Sequence, residues 1–120
     1  MLGNFFLRKD GVAWFKVHGP IHLTALPEAV VENLTEGTFD YEIESAVERD
    51  GTLTAVMSAV SLTPFGKHKT AIPKMAAGES PAERAWCKLT ITNATKDGLV
   101  AKVTLHGPSD VIVEVPAVEG

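Results

Sequence analysis

Four histidines and a single cysteine are the side chains best suited to chemistry in this chain of 120 residues. His18 and His106 each stand before Gly-Pro, in "KVHGPIHL" and "TLHGPSD", and each tripeptide follows a Lys-Asp-Gly, at Lys9-Asp10-Gly11 and Lys96-Asp97-Gly98. With His22 beside the first copy, His68 further on and Glu28 in reach, imidazole and carboxylate ligands for a divalent metal are available. The plainer account is that His-Gly-Pro ends a strand, because Gly permits a bend and Pro withholds a ladder donor.

A cupin-like metal site needs His-x-His followed by Glu, and the chain instead reads His-Gly-Pro-Ile-His, so metal binding is a minor reading. Cys87 lies in the apolar run "AWCKLTI", the setting of a buried, inert thiol. Ser58, Ser61, Ser80 and Ser109 lack any nucleophile-elbow context. Asp40, Glu42 and Glu44 could be paired acids, but at a period of two they mark the solvated face of a strand or an acidic patch for a basic partner. No P-loop, dinucleotide fingerprint or EF-hand loop is present, so no cofactor and no enzyme activity are expected.

Composition agrees. Hydrophobic residues make up 45% and charged residues 22%, the balance of a globular domain. The net charge of −4 disfavours a protein built to grip phosphate backbones. One cysteine forms no intramolecular disulfide, and the opening "MLGNFFLRKDG" lacks a signal peptide's apolar stretch. No apolar run is long enough to span a bilayer. These features point to the cytoplasm or a particle assembled there. The sequons at Asn33-Leu34-Thr35 and Asn93-Ala94-Thr95 then carry no weight.

Three Asp-Gly pairs, each after a basic residue, divide strand-like runs and predict hairpins at Lys9 to Gly11, Arg49 to Gly51 and Lys96 to Gly98. In the middle one, Phe39, Tyr41, Ile43, Ser45 and Val47 share a face. Its return strand fits two registers. One opposes Phe39 to Leu62, Tyr41 to Val60 and Ser45 to Val56; the other opposes Ile43 to Met57 and Val47 to Leu53. In the third hairpin a left-handed Gly98 would set Leu89 against Leu105 and Ile91 against Val103, and the same loop type in the first would place Arg8 near Val12. "IHLTA" and "DVIVEV" add strands. "PEAVVENL" and "SPAERAW" carry the Pro-first and capping-box signatures of short helices. Residues 63–81, rich in Pro and Gly, read as one long loop.

The expected fold is a single all-β domain over residues 1–120, an antiparallel sandwich or barrel of about eight strands with one or two short helices. The expected function is non-enzymatic: a structural or protein-interaction module that self-associates into a homo-oligomer or particle, such as a virion capsid, tail or decoration component. Its interaction loop would be residues 63–81, carrying Phe65, Lys67, His68, Lys69, Ile72, Lys74 and Met75. A second reading is a β-barrel that binds single-stranded nucleic acid through Trp14, Phe15, Lys67 and Lys69. A third is a small-ligand or metal-binding barrel.

Overall fold

The computed structural model describes residues 3–18, 27–46, 51–55, 59–72, 86–107, 112–113 and 117–119. Within them all regular structure is strand, in two antiparallel sheets. Sheet A runs β1 (Gly3–Arg8), β9 (Leu99–His106), β3 (Glu28–Asn33), β7 (Lys67–Ala71). Sheet B runs β10 (Ile112–Val113), β2 (Val12–His18), β8 (Trp86–Thr92), β4 (Phe39–Ala46), β5 (Thr54–Ala55). Two short strands complete it, β6 (Val60–Leu62) on β4 and β11 (Ala117–Glu119) on β2.

Alternation explains the sandwich. In β8, Cys87, Leu89 and Ile91 are buried while their neighbours are half-exposed, and β4 buries Phe39, Tyr41 and Ile43 in the same way. Sheet A sends in Phe5, Leu7, Ala29, Val31, Val103 and Leu105, and both sets join one apolar cluster. Each large side chain removed from water there contributes roughly 1.5 to 3 kcal/mol against the entropy of ordering the chain.

The first and third expected hairpins are not hairpins. The chain does turn tightly at both places, but β1 pairs with β9 and β2 pairs with β8, so each turn carries it from one sheet to the other. Arg8 therefore lies opposite Leu99, and Val12 opposite Thr90. Leu89 is flanked by Ala13 and Ile43, while Leu105 is flanked by Gly3 and Ala29. The apolar matching of these runs is real, but it is satisfied across the core: Phe5 of β1 and Phe15 of β2 meet with ring centroids 6.0 Å apart. A turn signal fixes local dihedrals, and leaves open whether the flanking strands pair edge to edge or stack face to face.

The middle hairpin forms. Phe39 opposes Leu62 and Tyr41 opposes Val60, the first of the two registers expected. That register does not extend to the turn: Glu44 opposes Ala55 and Ser45 opposes Thr54 rather than the expected Val56. Tyr41 and Glu44 are three residues apart and their partners five, so the return strand carries two extra residues between these ladders.

"PEAVVENL" is β3 rather than a helix. Its Ala29, Val31 and Asn33 are buried while Glu28, Val30 and Glu32 are half-buried, a period of two that outweighs the helix-start signal at Pro27. Of the expected loop at 63–81, residues 73–81 lie outside the described residues; the described part is a turn followed by β7, whose inward residues, His68 and Thr70, are polar and so gave no apolar period. The expected helix "SPAERAW" lies outside the described residues except Trp86, which opens β8. Both His-Gly-Pro segments follow strand ends, since β2 stops at His18 and β9 at His106. Among the described residues no helix is long and apolar enough to cross a membrane.

Candidate functional site

The passage from β6 to β7 is built by a four-residue turn. Pro64 presets its backbone, the Gly66 N–H donates to the Thr63 carbonyl at 2.9 Å, and Phe65 takes a left-handed φ of 56°. A bulky side chain is costly there, by roughly 1 to 2 kcal/mol relative to glycine. Phe65 nevertheless projects into solvent, 66% exposed, where it contributes little to the core.

Asn33, at the end of β3, fastens this turn. Its side chain is 2% exposed and fully engaged: Nδ2 donates to the carbonyls of Gly37 (2.9 Å), Thr63 (3.0 Å) and Leu62 (3.4 Å), while Oδ1 accepts from the Thr35 N–H (2.9 Å) and hydroxyl (2.8 Å). The first sequon is therefore a buried bolt, closed to a glycan in the folded chain. Phe65 N–H donates to Thr35 O, and Leu34 N–H donates to Val100 O, which brings the ends of β3, β7 and β9 together.

The result is a concentration of apolar surface. The exposed large hydrophobic residues among those described are Phe6 (44%), Leu34 (38%), Phe65 (66%) and Leu99 (46%). Phe6 lies on β1, Leu99 starts β9, Leu34 follows β3, and Phe65 sits in the β6–β7 turn two residues before β7, so two are strand residues of sheet A and two lie on the loops beside its other two strands. None lies on a described strand of sheet B. Around them lie ion pairs between Lys9 and Asp97 (3.4 Å), Lys96 and Glu36 (3.4 Å), and Lys67 and Glu32 (3.1 Å).

The expected site residues are divided by this geometry. Phe65 stands at the apolar end; Lys67 and Lys69 face solvent on β7, with Lys69 3.4 Å from Glu28. His68 points the other way and its Nδ1 is bonded to the hydroxyl of Tyr41, linking β7 of sheet A to β4 of sheet B. Burial pushes the Tyr41 phenol up to about 12. Ile72, expected at an exposed loop, is wholly buried, its N–H donating to Pro27 O at 2.7 Å. Lys74 and Met75 lie outside the described residues. The signal for Phe6 was present in "NFFLR", where Phe5 and Leu7 claim the inward face and leave Phe6 outside. Leu34 and Leu99 sit at strand ends, where alternation no longer reports direction.

The remaining candidates do not assemble. Trp14 and Phe15, offered as stacking platforms, are 3% and 0% exposed. On the outer face of sheet B, Lys88 lies over Trp14 and Lys16 over Trp86, each about 5.5 Å from the ring centroid. Asp40 accepts from Ser61 Oγ (2.6 Å) and Asn93 Nδ2 (2.9 Å), which holds its carboxyl below the ordinary range and makes it a poor proton acceptor for that serine. Burial pushes the Cys87 thiol up to about 12, so little thiolate exists at neutral pH. Among the described residues no group of three His, Cys, Asp or Glu gathers to hold a metal. Comparison with known families, curated proteins and solved structures gives no match for this chain.

Proposed function

We propose that this protein is a non-enzymatic interaction module that self-associates through the apolar end of sheet A. The observation that supports it is the gathering of every described exposed large hydrophobic side chain at one end of one sheet, with a phenylalanine kept in a left-handed turn position. An apolar centre containing aromatics, bordered by charged groups, is the composition of a protein-binding patch. The single-stranded nucleic-acid reading has less support: Lys67 and Lys69 face carboxylates, Phe15 is in the core, and Trp14 is covered on the outer face of sheet B, where Lys88 lies over its ring. Assembly into a particle is a larger-scale version of the same association.

The test is Phe65→Gly. Relieving the left-handed strain leaves the fold as stable as before or more stable, while removing the apolar side chain weakens association. Weight-average mass measured by light scattering should rise with concentration for the wild type and stay at the monomer value for the variant. A wild type that remains monomeric at the highest concentration reached overturns the proposal.

A further inference from the structure

Across sheet A, in the order β1, β9, β3, β7, the exposed apolar residues read Phe6, Leu99, Leu34, Phe65. That order is a palindrome by type. A two-fold axis passing between β9 and β3 would bring Phe6 of one copy against Phe65 of a second and Leu99 against Leu34, so aromatic meets aromatic and aliphatic meets aliphatic. The relief matches as well. Phe6 is set back two residues from Arg8, about 7 Å along the strand, whereas Phe65 sits on a turn beyond the start of β7. A protruding ring at one end of the row meets a recessed ring at the other.

Charge follows the same rule. Lys96 lies on the turn entering β9, and Glu36 lies on the loop leaving β3; they pair at 3.4 Å with side chains 48% and 77% exposed. These are the two strands beside the proposed axis, so the rotation presents Lys96 of each copy to Glu36 of the other. A single-sign partner would find half of this rim repulsive. We infer that, given the self-associating reading above, the occupant of the apolar end is a second copy of this chain in a closed two-fold dimer, with Lys96 and Glu36 exchanging partners between copies. Four exposed side chains per copy fall short of the roughly 800 Å² per partner of a standard stable interface, so the dimer is weak and concentration-dependent.

Sedimentation equilibrium of Lys96→Glu, of Glu36→Lys, of their equimolar mixture and of the double variant tests this. Each single reversal sets like charges together twice across the axis and should weaken dimerisation about tenfold or more. The mixture should restore a heterodimer near twice 12.8 kDa, and the double variant a homodimer, which also shows that the altered chains fold. A wild type that stays monomeric overturns this inference and the proposed function together. A wild type that associates without a stop at two copies, or single variants that dimerise as it does, overturns the two-fold arrangement alone.

Discussion

The tripeptide Lys-Asp-Gly occurs at two corners that lie side by side and are built differently. Residues 9–11 carry the chain from sheet A to sheet B, and residues 96–98 carry it back. They touch: Lys9 N–H donates to Gly98 O at 3.0 Å, and Lys9 Nζ lies 3.4 Å from Asp97. In the first corner Asp10 takes the left-handed conformation, φ 61°, and Gly11 is buried against the preceding backbone. In the second, Gly98 is left-handed at φ 77° and nothing lies within 4 Å of where a Cβ would stand. One glycine is required for space and the other for its dihedral angle. Identical letters thus specify that the chain turns, while the neighbours decide which residue bears the strain.

The difference is sharpest in Gly11→Ala, which carries the largest expected effect. A Cβ there would come 2.8 Å from Arg8 O and 3.2 Å from Arg8 N, and backbone atoms cannot yield as a side-chain tip can. The Gly11 carbonyl also accepts from Ile91 N–H at 3.0 Å, so movement of the corner loosens β8. We expect a loss of about 2 kcal/mol or more, read as a lower urea midpoint at unchanged slope. Gly98→Ala meets no atom and should lose only the left-handed preference, about 1 kcal/mol. Asparagine separates the two mechanisms: Gly98→Asn should recover much of that loss, whereas Gly11→Asn should be no better than Gly11→Ala.

The same division between local and distant causes marks how much was readable beforehand. Period-two runs such as "FDYEIES" and "WCKLTIT" reported both strand and buried face, because alternation is set by the residue's own pleat. Turn positions and the left-handed Gly98 were legible for the same reason. Pairing partners were not: β1 with β9 and β2 with β8 join segments some ninety residues and seventy-five residues apart, by rough count, and either run could equally stack across the core. Strand β7 was hidden because His68 turns inward to Tyr41 rather than to an apolar neighbour. Of the apolar end, Phe65 was identifiable as an exposed residue in a Pro/Gly turn. Leu34 and Leu99 join it through Leu34 N–H to Val100 O, a contact that the sheet order creates and no local pattern announces.

Smaller effects complete the comparison at the aspartates. Asp10→Ala removes a residue type that tolerates the left-handed region and leaves one that does not, so about 0.5 to 1 kcal/mol should be lost, with Asp10→Gly at or above wild-type stability. Asp97 has no such conformation to support. Its main described role is the ion pair with Lys9, where the side chains are 42% and 96% exposed, a setting in which solvent screens most of the attraction. Asp97→Ala should therefore shift stability by less than about 0.5 kcal/mol, and the shift should vanish in high salt. A large, salt-independent loss at Asp97 together with none at Asp10 would reverse the assignment of strain between the corners. It would mean that the second corner, and not the first, relies on its aspartate to hold the turn.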